Sequence, residues 1–163
     1  MKKVLLFLLL TIPVYLIVSL SFLDKLYFLC PIEYRGDIVV RCDSRGNGFF
    51  AASRNGRMSH RGIDLFSAIG TPVFAARSGI ATVAREEKMG MGKYVVIKHA
   101  QNITTLYGHL SDIYVSRGQF VRQGELIGRV GKTGNARSPA IQPHLHFEVR
   151  EKGIHQDPLE YLN

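Results

Sequence analysis

His144-Leu145-His146-Phe147-Glu148-Val149-Arg150 alternates polar and apolar side chains without a break. With the period of two that a strand imposes, His144, His146 and Glu148 share one face, while Leu145, Phe147 and Val149 share the other. The two imidazoles then stand about 7 Å apart at Cβ, from a rise of about 3.3 Å per residue. Both can reach one metal ion, or one can bind the metal while its neighbour works beside it.

The same character extends upstream. From Gly62 onward the chain reads as short runs rich in Val, Ile, Phe and Tyr, broken about every eight to twelve residues by Gly, Pro, Asn or Ser. Candidate strands are Ile63 to Phe66, Pro72 to Ala76, Ile80 to Arg85, Tyr94 to His99, Thr104 to His109, Leu126 to Val130 and His144 to Arg150. Most glycines fall between these runs, where tight turns use positive φ. No stretch offers a long amphipathic helix, and no internal repeat is present. The pattern predicts an all-β domain built on a compact antiparallel sheet, closing in the manner of a barrel or sandwich.

Chemistry-bearing residues gather in three places: His60-Arg61-Gly62-Ile63-Asp64, Tyr107-Gly108-His109, and the His144 strand. A catalytic zinc needs three protein ligands of the His, Asp, Glu or Cys type and an open fourth position. Bound zinc lowers the pKa of a coordinated water toward 7 and polarises a carbonyl, while a neighbouring imidazole moves protons or steadies an oxyanion. Each group has a plainer reading. A His-x-His pair can be just a polar strand face, and His60 with Asp64 has the spacing of a helical i, i+4 pair. Gly62 and the β-branched Ile63 weaken the helical reading.

The ordered set is more specific than any member. His60-x-Gly62-x-Asp64, then Gly70-Thr71-Pro72-Val73, Tyr107-Gly108-His109-Leu110, Gly131-x-Thr133-Gly134 and His144-Leu145-His146-Phe147-Glu148 resembles the lysostaphin-type, or LytM-like, zinc metallopeptidases, which are murein endopeptidases. The resemblance covers roughly residues 35 to 160. It implies a groove over one zinc ion per chain, with His60, Asp64 and His146 as ligands and His109 and His144 as the catalytic histidines. It also implies hydrolysis of peptide cross-links in bacterial peptidoglycan, with the peptide stems as partner. Two loops depart from the family pattern: Glu86 to Gly92 is not the familiar Gly-Gly-Tyr-Gly-like loop, and Asn135 to Pro143 lengthens the approach to the His-x-His strand. Both leave open whether the substrate is a D-alanyl diaminopimelate cross-link or a glycine bridge.

Other charged and histidine positions carry less. His99 and His155 read as structural or solvent-exposed, and Glu148 reads as an exposed charge before it reads as a partner of His146. Arg54, Arg57 and Arg61 either line the groove or solvate its rim.

The chain of 163 residues has room for about one domain. At 46% hydrophobic and 21% charged it has a globular composition, which excludes disorder. A formal charge of +8 predicts an acidic partner: nucleic acid, anionic lipid or a wall polymer. No nucleic-acid recognition motif accompanies that charge, so nucleic acid is not expected.

Val4 to Leu23 is an uncharged run long enough, at about 1.5 Å per residue, to span roughly 30 Å as a helix. With Lys2 and Lys3 before it, the run predicts a single-pass anchor over residues 1–25 with the rest facing the periplasm or exterior. A cleaved signal ending near Ser19 and Ser21 is the alternative, with the chain then secreted. A lipoprotein signal is disfavoured, because Leu29 precedes Cys30 where a small residue belongs. Residues 26–58 form a lead-in, and residues 59–163 form the zinc metallopeptidase domain. Cys30 and Cys42 are expected to pair in an oxidising exterior.

Two further classes compete. Some relatives of the fold lack metal ligands and act as wall-binding regulators of other hydrolases, yet here all five positions are filled. Gly118, Gly124 and Gly128 frame a segment similar to carrier-domain hairpins, but no suitably placed lysine follows.

Overall fold

The computed structural model of the chain describes Asp24, residues 27–54, Gly56 and residues 58–162. Two small hairpins come first, β1 (Cys42–Asp43) with β2 (Gly46–Asn47), and β3 (Ser53–Arg54) with β4 (Met58–Ser59). A nine-stranded sheet follows, its described pairings all antiparallel: β5 (Ile63–Phe66), β6 (Pro72–Phe74), β7 (Gly79–Glu86), β8 (Lys93–Lys98), β9 (Ile103–Ile113), β10 (Phe120–Val121), β11 (Leu126–Val130), β12 (His144–Glu151) and β13 (Ile154–Gln156).

The long strand β9 organises the sheet. One edge pairs with β8. The other is divided: its first part, Ile103 to Gly108, pairs with β12, and its last part, Leu110 to Ile113, pairs with β11. The changeover falls at His109, which takes a left-handed φ of 61°. An L-residue with a Cβ enters that region at a cost, and a bulge in the β8 register at the same place absorbs the extra residue.

β12 lies between β9 and β5, with His146 opposite both Gly108 and Asp64. Its alternation works as the sequence predicts on one face: Leu145, Phe147 and Val149 join Ile63, Leu65, Val95, Ile97, Tyr107, Leu110 and Ile127 in the core. Each such side chain stabilises the fold by about 1.5–3 kcal/mol on burial. The opposite face is covered as well. Residues 39–54 lie along the free edge of β5, where Arg41 N–H donates to Asp64 O (2.8 Å) and Phe66 N–H donates to Val39 O (2.8 Å). The lead-in also places Phe28 and Ile32 in the core.

Gly62 shows how tightly β5 and β12 meet. A Cβ there would lie inside contact distance of the Phe147 carbonyl and 2.9 Å from Glu148 Cγ. Backbone cannot yield as a flexible side chain does, so Gly62→Ala should push the two strands apart and separate Asp64 from His146. A large fall in thermal midpoint is the expected outcome.

The candidate strands all recur, with β5 and β11 at the predicted bounds and the others shifted at one or both ends. The membrane helix expected over residues 1–25 lies outside the described residues, Asp24 apart; among those described, no helix is long and apolar enough to cross a membrane. The expected disulfide is not formed. Cys30 packs against the core, where burial raises its thiol pKa, and Cys42 is exposed in β1, so the fold holds the two thiols in different surroundings.

Candidate metal centre

Three side chains converge where β5, β12 and the loop before β5 meet. His60 Nε2 lies 3.1 Å from His146 Nδ1 and 3.1 Å from Asp64 Oδ1, and His146 Nδ1 lies 2.9 Å from that same oxygen. All three residues are buried. Strand pairing fixes two of them, because Asp64 and His146 are cross-strand partners. His60 is fixed by its own ladder: its N–H donates to Ala52 O (2.8 Å), and its carbonyl accepts from Ala51 N–H (2.9 Å).

The outward atoms determine what faces inward. His60 Nδ1–H donates to Phe49 O at 2.9 Å, so the Nε2 lone pair points into the cluster. His146 Nε2 lies 3.1 Å from Glu148 Oε1, an acceptor that takes the Nε2–H and leaves Nδ1 facing Asp64 and His60. Asp64 Oδ2 accepts from Arg41 Nη2 (2.8 Å), Arg41 Nε (3.3 Å) and Arg54 Nη2 (2.9 Å), which turns Oδ1 inward. Two imidazole nitrogens and one carboxylate oxygen thus form a triangle of acceptors, an arrangement that calls for a cation.

The electrostatics agree. Burial alone would lower the His146 pKa, but the Asp64 and Glu148 carboxylates raise it to about 9, so the position favours positive charge, carried by a proton on Nδ1 until a metal cation displaces it. Burial would raise the Asp64 pKa, yet the His146 and His60 rings against its carboxylate hold it far below the usual carboxylate range. Glu148, despite burial, is held down at about 2 by His146 and Arg150. A tetrahedral ion with bonds of about 2.0 Å has ligand-to-ligand edges of roughly 3.3 Å, within a few tenths of the observed triangle. The donor set of two His and one Asp suits zinc.

The two remaining histidines stand beside this triangle. His144 and His109 have ring centroids 5.1 Å apart. His144 Nδ1–H donates to Gln142 O (2.7 Å) and its Nε2 lies 3.7 Å from Asp64 Oδ1, farther than any edge of the triangle. His109 Nδ1–H donates to Thr133 O (2.9 Å), so its Nε2 also carries a lone pair. Burial lowers both pKa values, that of His109 to about 3, and both rings are neutral at pH 7. Thr133 does more than accept from His109: its Oγ1 takes Lys93 N–H (2.9 Å) and donates to Leu110 O (2.9 Å), bracing the strained turn at His109. That explains the threonine of Gly131-x-Thr133-Gly134. Tyr107, beside it in sequence, is structural: its hydroxyl accepts Ala76 N–H, and burial pushes its pKa up to about 12.

A groove of about 320 Å³ runs over the cluster, lined by Arg41, Arg45 and Arg54 together with Met91, Asn135 and Ile141. The two loops that depart from the family pattern are joined there, with Asn135 N–H donating to Gly90 O (2.9 Å) and Gly90 N–H donating to Asn135 Oδ1 (3.1 Å).

All five sequence-predicted residues therefore meet at one place. Glu148 differs from expectation: it is 1% exposed, its carboxylate paired with Arg150 and His155 and in direct contact with His146. Arg41, which no sequence pattern singles out, is buried against Asp64. Of the basic residues expected at the groove, Arg54 lines it, Arg61 lies in a separate shallow pocket with His155, and Arg57 lies outside the described residues. His99 is buried, bonded to Ser78 O (2.9 Å) and Thr105 Oγ1 (2.8 Å), and serves the fold.

Fold and site together define a class: an antiparallel β domain with three side chains able to hold a metal ion at the floor of an open groove. Residues 58–158 match the family model described as Peptidase family M23, and the chain belongs to that family. It is 39% identical over 115 residues to the lipoprotein NlpD/LppB homolog of Pseudomonas aeruginosa, covering 71% of this chain and 36% of that protein. It is 38% identical over 100 residues to the peptidoglycan DD-endopeptidase ShyC of Vibrio cholerae, covering 61% and 22%. It is 34% identical over 103 residues to the uncharacterized lipoprotein YgeR of Escherichia coli, covering 63% and 39%. The chain thus spans less than two-fifths of the length of each of these relatives. Among solved structures, the catalytic domain of lysostaphin from Staphylococcus simulans superposes with a TM-score of 0.59 at 32% identity, over 74% of this chain and 90% of that one.

These relatives correct the expected localisation. Two of them are named as lipoproteins, proteins held at a membrane by a lipid and not by the single-pass helix that the sequence led us to expect here.

Proposed function

We propose that this chain is a zinc-dependent endopeptidase that hydrolyses the peptide cross-links of bacterial peptidoglycan. His60, Asp64 and His146 hold one zinc ion per chain, and His109 and His144 do the proton work. The observation that carries the reading is the triangle of inward-facing acceptors, each histidine fixed in its tautomer by an outward hydrogen bond. Membership of family M23 and the likeness to a peptidoglycan DD-endopeptidase support the reaction and substrate class.

Bound zinc supplies Lewis acidity, lowering the pKa of a coordinated water toward 7 and polarising the scissile carbonyl. The chain supplies the rest. One neutral imidazole of the His109 and His144 pair takes the proton of the attacking water at its Nε2 lone pair. The other faces the oxygen of the substrate carbonyl as negative charge grows there. The carbon–nitrogen bond then breaks, and the leaving amine receives the proton that the first imidazole held. Burial keeps both rings uncharged beforehand, so each can accept a proton at neutral pH. For attachment, the reading follows the lipoprotein relatives: a lipid holds the chain at the membrane.

Digestion of purified wall sacculi tests this. Conversion of cross-linked dimers to monomers, with one new amine per bond cut, is the expected result. Zinc binding with cross-linking unchanged would overturn it.

A further inference from the structure

The groove is rich in positive charge. Three arginines, Arg41, Arg45 and Arg54, line it beside the clustered histidines and Asp64, and the rest of its lining, Met58, Gly90, Met91, Asn135, Ala136 and Ile141, is uncharged. The three arginines are not equivalent. Arg41 is occupied by Asp43 (2.7 Å) and Asp64 (2.8 Å), and Arg54 shares Asp64 Oδ2 at 2.9 Å. Arg45 is exposed at the tip of the β1–β2 hairpin, with no carboxylate in ion-pair distance among the described residues.

That tip is held in place. Asp43 Oδ1 accepts Arg45 N–H at 2.8 Å, while Asp43 Oδ2 accepts Gln142 N–H at 2.9 Å and pairs with Arg41. One carboxylate thus ties the hairpin both to the loop before β12 and to the arginine that holds Asp64. Gly46, at φ +128°, leaves room for Arg54, whose Nη1 would lie 3.0 Å from a Cβ at that position. The hairpin therefore presents a guanidinium to the groove from a braced turn, beside a second guanidinium with donors left over.

We infer that Arg45, with Arg54 beside it, forms a carboxylate-binding subsite that selects cross-links bearing a free carboxylate next to the scissile amide. A guanidinium fork matches a carboxylate with two parallel hydrogen bonds. A D-alanyl diaminopimelate cross-link carries such a carboxylate on the carbon that bears the scissile nitrogen, whereas a bridge of glycines carries none. The inference rests on the peptidase reading above and names the substrate within it.

The test uses two synthetic cross-linked stem-peptide dimers, identical except that this carboxylate is free in one and amidated in the other. With the zinc-loaded full chain, kcat/KM should be about tenfold higher on the free acid, the scale of one charge-assisted hydrogen bond. Arg45→Gln should abolish the preference, bringing kcat/KM on the free acid down to that on the amidated dimer. Equal rates on both dimers for the unaltered chain, or an equal loss on both in Arg45→Gln, overturn the subsite. Calorimetric binding of both dimers to the chain carrying His144→Ala, alone and with Arg45→Gln, separates the two levels. Carboxylate-dependent binding that needs Arg45, without cleavage by the unaltered chain, keeps the subsite and overturns the peptidase reading; cleavage without preference does the opposite.

Discussion

His146→Ala is expected to lose zinc and turnover together. The substitution deletes one corner of the acceptor triangle, and it does so at the residue with most connections. Nδ1 faces Asp64 Oδ1 at 2.9 Å and His60 Nε2 at 3.1 Å, and Nε2 faces Glu148 at 3.1 Å. With the ring gone, Asp64 and Glu148 both remain buried while each loses a hydrogen-bond partner. Removing one partner of a buried charged pair costs about 3–5 kcal/mol, so stability should fall as well. Zinc content by emission spectroscopy, hydrolysis of a cross-linked dimer and the urea midpoint check the three parts. Retention of stoichiometric zinc would place the third ligand elsewhere.

His144→Ala, two residues away on the same strand face, is expected to separate what His146→Ala joins. Its Nε2 is 3.7 Å from Asp64 Oδ1, outside the triangle, and its Nδ1–H is committed to Gln142 O. Removing it leaves all three inward acceptors and their outward hydrogen bonds intact. Zinc should stay at one per chain while turnover drops by about 10²- to 10⁴-fold, the usual contribution of a positioned acid or base. Loss of zinc in this variant would mean that ligand and proton-transfer group had been exchanged between the two histidines.

That division of labour marks where the sequence stops being legible. Alternation along His144 to Arg150 places both imidazoles on one face, and this holds, because β12 is a regular strand with Leu145, Phe147 and Val149 in the core. Alternation does not reveal that His146 faces Asp64 across a strand pair, since register is a long-range property. Only the resemblance to a known family separated His146 from His144 beforehand.

Other features were hidden for different physical reasons. His109 sits at a left-handed backbone position where β9 changes partners, and such strain belongs to the meeting of three strands and not to a local propensity. Glu148 reads as exposed because a polar residue in an alternating strand normally faces water. Its carboxylate is instead taken up by Arg150, which supplies a guanidinium Nε at 3.0 Å, and by His155 on β13. Arg41 sits in a stretch without periodicity, so nothing local distinguishes it from a solvated surface arginine. Gly62, by contrast, was legible as a motif position, and the close approach of the Phe147 carbonyl explains why a glycine stands there.

Zinc titration of the stripped chain tests the central claim most directly. A chelator removes the metal, and zinc is added back in fractions of an equivalent while cleavage of a cross-linked wall dimer is followed. Cleavage should be absent without metal, rise in proportion to added zinc and reach its plateau at one equivalent per chain. Undiminished cleavage by the stripped chain, or uptake of a full equivalent with no cleavage at all, would contradict the account.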